Sequence, residues 1–401
     1  MQSMTKTNTA ELATFGGAKL FDQPKSTSNL VRPDFERFLN YSKQFFNERR
    51  YTNNGPLVRL LEKRLADFHQ AQFCVTFCSG FWAIAVTMTA LALKGRSEVI
   101  IPSLSYRRIA DIAAWAKLKP RFCEVESHTL AMSARTVAPC INDQTALIVG
   151  MHPIVNCCDA AGLVRLADEH TIPLLFDSVE SVYECCSLGK IGGFGDAECF
   201  SLHASKLING FEGGYVTTNN EALACKLAVL RGFGFSGQDN IILAGGLNAK
   251  LNEIHAAMAL ANLDELEVQI IRNRGRYERY KHGLASVTGI RLVEFDEAYQ
   301  TSYKNILVEL LSDWPLSRSR TLAVLQAENI LARSYYSPPL HQKKMDYPHI
   351  PASLAVTDLL AERFMLLPCG EFVTVEDIDG VIRLLDFLYR HGPAIEAHAT
   401  S

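Results

Sequence analysis

From Phe73 to about Thr218 the chain alternates short apolar runs with stretches of helical periodicity. Val99-Ile100-Ile101, Ala146-Leu147-Ile148-Val149, Leu174-Leu175-Phe176, Cys199-Phe200 and Gly214-Tyr215-Val216 predict strands. Residues 83–94, 106–117, 159–169 and 221–231 predict helices. Near-continuous apolar strands separated by helices belong to a mostly parallel sheet covered by helices on both faces. Such sheets bind ligands beyond the carboxyl ends of their strands. In this reading Pro102, His152, Asp177 and Ser201 stand at those ends.

On either side of this block the pattern changes. Helical signals run from Asp34 through Leu57 to Phe68, and one long helical stretch from Asn252 to Leu284 bridges to a second unit. There a strand at Leu307–Leu311, a helix over 317–328 and a closing helix over 375–390 predict a smaller C-terminal α/β domain. The expected organisation is a loose arm over 1–30, a large domain over 31–265, a small domain over 266–390 and a disordered tail over 391–401.

Composition narrows the function classes. A chain of 401 residues with 48% hydrophobic and 21% charged residues has a substantial core. The net charge of -3 does not suggest a nucleic-acid or membrane surface. No apolar run is long enough to span a bilayer, and the polar segment Met1 to Gln23 lacks a signal-peptide core, so a cytoplasmic location is expected. The eleven cysteines include the pairs Cys157-Cys158 and Cys185-Cys186 but no C-x-x-C, so neither disulfides nor a metal centre are expected.

Lys206 concentrates the candidate chemistry. It follows Phe200-Ser201-Leu202-His203-Ala204-Ser205 and precedes Gly210, Glu212, Gly213 and Gly214, while Asp177 closes the strand Leu174-Leu175-Phe176. An acid at one strand end and a lysine after the next strand suit pyridoxal phosphate (PLP). The lysine can hold the aldehyde as a Schiff base and the acid can keep the ring nitrogen protonated. Alone, Asp177 reads as a turn cap and Lys206 as a surface lysine; it is their order and apolar approaches that carry the reading. Ser79-Gly80 between a strand and a helix offers backbone N–H groups to a phosphate, and Tyr106 beyond a strand end can cover a flat ring. Gly232-Phe233-Gly234-Phe235-Ser236-Gly237 matches G-x-G-x-x-G, but a helix rather than a strand precedes it, so it reads as a loop. His152, His203 and His341 read as structural histidines, and no G-x-S-x-G elbow points to a hydrolase.

These motifs resemble those of the DegT/StrS family of PLP-dependent aminotransferases over about Gly55 to Pro368. Gly55-Pro56-Leu57-Val58 with Glu62 is similar to the family's G-P-x-V-x-x-x-E, Ser79-Gly80 to S-G-T, and Asp177 to the acid of E-D-A-A. Phe200-Ser201 to Lys206 with Glu212-Gly213-Gly214 resembles F-S-F…K…E-G-G, and residues 246–253 resemble G-x-N-x-R-x-x-E. Tyr336 to His341 and Leu367-Pro368 are similar to its C-terminal signatures. The resemblance implies a fold-type-I PLP-dependent transferase that is a homodimer with shared active sites. It also implies glutamate or glutamine as amino donor and a keto acceptor, such as a nucleotide-linked keto-sugar. By it, Lys206 and Asp177 are catalytic, Tyr106 stacks on the ring, Gly80 and Ser201 hold the phosphate, and Asn248 reaches the phosphate of the neighbouring subunit.

Three departures stand out. Phe81 replaces the phosphate-binding threonine and so offers only its backbone N–H, and Trp82 replaces an alanine, repacking the core or narrowing the pocket. Glu180 stands where the family has Gln or His near the cofactor's phenolic oxygen, so it is protonated, bound to another group or turned away. Arg107-Arg108 follows Tyr106, as a solvated helix start or as an anchor for a substrate carboxylate or phosphate. Two alternatives to transamination remain at this point: another PLP reaction such as replacement, aldol or decarboxylation, and a non-catalytic regulator.

Overall fold

The computed structural model describes residues 5–235 and 240–400. Its centre is a seven-stranded sheet of β1 (Phe73–Phe77), β2 (Glu98–Pro102), β3 (Lys119–Cys123), β4 (Thr145–Met151), β5 (Leu174–Asp177), β6 (Ala197–Ser201) and β7 (Gly214–Thr218). The spatial order is β1-β7-β6-β5-β4-β2-β3. β7 runs antiparallel to β1 and β6, while β6, β5, β4, β2 and β3 are mutually parallel. Every residue of β2, β4, β5, β6 and β7 is buried, which is why these strands lack polar alternation.

Helices α1 (Phe35–Glu48), α2 (Pro56–His69), α3 (Gly80–Leu91), α4 (Ile109–Trp115), α5 (Ala160–His170) and α6 (Glu221–Arg231) belong to this layer. Ser79, Asp159 and Asn220 cap α3, α5 and α6 by accepting backbone N–H bonds. A second, four-stranded antiparallel sheet holds β8 (Ile290–Leu292), β9 (Ile306–Leu310), β10 (Arg333–Ser334) and β11 (Phe364–Leu367) in the order β8-β9-β11-β10. One hydrophobic cluster runs from Leu57 and Leu61 under the large sheet to Val308, Met365 and Leu385 around the small one.

The sequence reading needs three corrections here. Residues 5–30 are not a loose arm: Lys25–Ser26 pairs in parallel with Ile330–Leu331, and Leu12 is fully buried. The anchor is buried Glu328, which accepts from Ala13 N–H at 2.7 Å and Leu20 N–H at 2.6 Å and pairs with Lys6 at 3.2 Å. The long helix is two, α7 (Glu253–Asp264) and α8 (Leu266–Leu284), broken at Glu265. Helical composition continues across the break, so the sequence alone does not mark it. Over the described part of 391–401, the tail continues the closing helix Val375–Thr400, and Ile395 is buried in the core. Of the glycine-rich loop, Ser236 and Gly237 lie outside the described residues.

Candidate active site

Asp177 and Lys206 reach the same end of the large sheet by different routes. Asp177 is the last residue of β5, in register with Met151 of β4 and Cys199 of β6. It is 4% exposed, and its carboxylate accepts one hydrogen bond, from Val179 N–H at 3.1 Å. Burial pushes it up to about 6, against the pull of Val179 N–H and Lys206. Lys206 lies in the loop leaving β6, held by Leu202 N–H to Gly213 O at 2.8 Å, Ala204 N–H to Phe211 O at 2.9 Å and Lys206 N–H to His203 O at 2.8 Å.

Glu180 joins Lys206 to a second lysine. Its Oε1 accepts from Lys206 Nζ and its Oε2 from Lys304 Nζ at 2.6 Å. Burial works to raise this carboxyl, but the two ammonium groups prevail and hold it down at about 2. The departure at this position thus resolves in favour of a carboxylate bound to another group. Burial in turn pushes Lys304 below the ordinary lysine value, offset by Glu180.

Lys304 is the residue that sequence reasoning missed. Buried Glu184 accepts from Ser302 N–H at 3.0 Å and Ser302 Oγ at 2.7 Å, and Cys185 N–H donates to Gln300 O at 2.9 Å. This clamp brings the segment before β9 against residues 180–185 and leaves Lys304 only 5% exposed. A lysine just ahead of a strand reads as solvated, so no motif signals it.

Beside this group lies a small cradle. Gly80 opens α3, and a Cβ there would stand 3.1 Å from Ser201 Cβ and 3.3 Å from Ser201 Oγ. A Cβ on Gly214 would meet Gly80 Cα at 2.6 Å, so both glycines are required for β7, β6 and the start of α3 to approach. Ser79 Oγ is used inside the helix, accepting from Trp82 N–H at 3.3 Å, and Ser201 Oγ accepts from His203 N–H at 3.2 Å, which leaves the Ser201 hydroxyl proton and the first N–H groups of α3 for an anion. Phe81 is partly buried. Trp82 packs edge-on against Phe81 and against Trp115 of α4, both at 5.2 Å, so it repacks the seam between α3 and α4.

Tyr106, 42% exposed, precedes α4, which begins at Ile109 rather than at Tyr106. Burial pushes the Tyr336 phenol up, with Tyr335, Glu180, Asp177 and Tyr106 adding to the rise, which puts this small-domain tyrosine among the site's groups. His341 is a structural latch: its Nδ1 is 2.7 Å from Ser103 Oγ and its Nε2 3.0 Å from Asp358. His152 stacks on Phe176 at 5.3 Å, and burial pushes it down to about 3, keeping it neutral. Asn248 is exposed, bridged through its backbone to Gly232, and among the described residues no contact joins it to Lys206, Asp177 or Tyr106.

Two of the sequence motifs meet away from this chemistry. Glu253, fully buried, accepts from Leu57 N–H at 2.8 Å and Val58 N–H at 3.0 Å, capping α2 from the start of α7. Glu62 accepts from Thr76 N–H and Thr76 Oγ, both at 2.9 Å, and pairs with Arg231. Both glutamates hold the fold.

Comparison with known proteins decides the assignment. The model of the DegT/DnrJ/EryC1/StrS aminotransferase family matches residues 34–386. The chain belongs to this family. It is 31% identical over 311 residues to the dTDP-4-amino-4,6-dideoxy-D-glucose transaminase of Shigella dysenteriae, covering 76% of this chain and 83% of that protein. It is 26% identical over 312 residues to the GDP-perosamine synthase of Vibrio cholerae, covering 73% of this chain and 82% of that one. Among solved structures, DesI in the presence of its TDP-sugar product superposes with a TM-score of 0.91 at 32% identity, covering 98% of this chain and all of that one. The chain is therefore an aminotransferase with the fold-type-I architecture. Among the described residues, no helix is long and apolar enough to cross a membrane.

Proposed function

We propose that this aminotransferase binds PLP at Lys206 and moves an amino group from glutamate or glutamine to a nucleotide-linked keto-sugar. The observation that carries the reading is the convergence of Lys206 and Asp177 at one sheet end, beside a glycine-floored helix start. The residues fit the cofactor: Asp177 is a buried carboxylate with a free lone pair, and a Cβ at Gly80 would crowd Ser201 in the cradle. Ser201 Oγ and the N–H groups of Gly80 and Phe81 would hold the phosphate, Tyr106 would cover the ring, and Asp177 would face the ring nitrogen.

The bound cofactor supplies an electron sink for the carbanion formed at the donor's α-carbon. Lys206 Nζ takes up the proton that leaves that carbon and returns it, as a general base and then acid. Asp177, ionised above about 6, keeps a proton on the ring nitrogen. Glu180 stays charge-balanced by Lys304 while Lys206 is engaged elsewhere.

The sugar-nucleotide acceptor is supported by relatives named for dTDP- and GDP-linked sugars. We further propose a homodimer in which Asn248 reaches the partner's phosphate. Exposed Phe233, Phe235, Ile241 and Ile242 flank that loop and are the kind of apolar surface a second copy would cover. The test is a pair of half-reactions. Glutamate or glutamine should bleach the cofactor's visible band, and a dTDP-linked 4-keto-6-deoxyhexose should restore it and become aminated. A band that responds to no amino donor would overturn the reading.

A further inference from the structure

A cleft of about 300 Å³ opens beside Tyr106, walled by two segments that both start at the active site. One wall is the run from Pro102 at the end of β2 through Tyr106 to Arg107, Arg108 and Asp111. The other follows Tyr336, is fastened by Leu340 N–H to Ser103 O and His341 N–H to Ser103 Oγ, both at 3.0 Å, and presents Lys343, Lys344 and Tyr347.

The charges in this cleft do not balance. Four cations face two acids, Asp111 and Asp346. Asp111 is already engaged, by Arg108 at 2.9 Å and by the Tyr347 hydroxyl at 2.7 Å. Among the described residues Arg107, Lys343 and Lys344 take part in no ion pair. Burial, together with Arg107 and Arg108, pushes the Lys343 ammonium below the ordinary lysine value, against the pull of Asp111. Cations that outnumber the acids of a shared cleft, one of those acids being already engaged, are arranged for an anionic ligand.

We propose that this cleft binds the diphosphate of the nucleotide-sugar acceptor, with Arg107, Lys343 and Lys344 as its ligands. The inference rests on the nucleotide-sugar reading of the active site and adds where the substrate is gripped. Arg107 follows Tyr106 directly, so a diphosphate held in this cleft would lie beside the residue read as covering the cofactor ring. The relatives named for dTDP and GDP sugars differ in base and share the diphosphate, the part that guanidinium and ammonium groups recognise.

The test uses the PLP-loaded protein, titrated calorimetrically with dTDP, GDP and uncharged thymidine. Wild type should bind both diphosphates in a salt-sensitive manner and thymidine far more weakly. Arg107→Gln, Lys343→Gln and Lys344→Gln should each weaken dTDP by roughly 10- to 100-fold, with the loss appearing in KM for the nucleotide sugar more than in kcat. Circular dichroism and melting should stay at wild-type values, since these side chains border an open cleft. A triple variant that binds dTDP as wild type does would overturn the cleft assignment alone. A wild type that binds neither dTDP nor GDP would overturn the nucleotide-sugar reading, and the cleft assignment with it.

Discussion

Glu253 and Asp177 are both buried carboxylates, and they are used in opposite ways. Glu253 gives both oxygens to backbone N–H groups at the start of α2, so its charge is consumed in joining two helices. Glu198 likewise gives its oxygens to Gly192 and Phe194 N–H groups and to Ser178, although burial still pushes it up to about 7. Asp177 accepts one backbone bond, fewer than either glutamate, so its burial goes without full compensation. The same contrast separates Glu62, tied to a strand, from Glu180, held between two lysine side chains. Carboxylates whose lone pairs go to the backbone build this fold, and those with few backbone partners beside lysines gather at the candidate site.

Four single substitutions, one of them extended to a double variant, sharpen this division. Lys206→Ala should have the largest effect on turnover, a loss of about 10⁴-fold in the half-reaction with glutamate, while melting changes little. Retained turnover would move the catalytic amine elsewhere.

Asp177→Asn should lower turnover by about 10²- to 10³-fold, measured at saturating donor. It should also change stability in the cofactor-free protein. Because the folded value is raised, the native state holds this proton more tightly than the unfolded chain does. Stability is therefore lost as pH rises from 3.8 to about 6, the reverse of an ordinary salt-bridged acid. Asn at this position removes that loss, so denaturant melts across the window should show a flatter slope. A steeper one would contradict the burial argument.

Lys304→Met leaves Glu180 with Lys206 as its remaining cation. Cofactor-loaded protein should lose about 3 kcal/mol, and cofactor-free protein less, because there Lys206 still faces the carboxylate. The double variant with Glu180→Gln should recover most of the difference. Equal losses in both forms would mean that Lys304 serves packing only. Smallest in turnover is Glu253→Gln, expected to cost about 2 kcal/mol in urea unfolding and to leave kcat near wild type.

The alternation of strands and helices was legible because parallel strands buried on both faces appear as unbroken apolar runs, as in Leu174–Asp177. Lys206, Asp177, Gly80 and Ser201 were legible because each sits at a strand end or in a turn with its own signature. Lys304 was not, since its burial depends on Glu184 gripping Ser302 more than a hundred residues away. Glu253 was visible in a motif, but its role as a cap for α2 needed the tertiary contact. The order of residues 5–30 was hidden for the same reason: polar residues look loose until Glu328 collects their N–H groups.

Two lysines share Glu180, and Lys206 is the one proposed to hold the cofactor. Borohydride reduction of the PLP-loaded protein, followed by peptide mapping, distinguishes them directly. A pyridoxyl group is expected on the peptide containing Lys206; a label on Lys304, or on no lysine of the site, would contradict the assignment of Lys206.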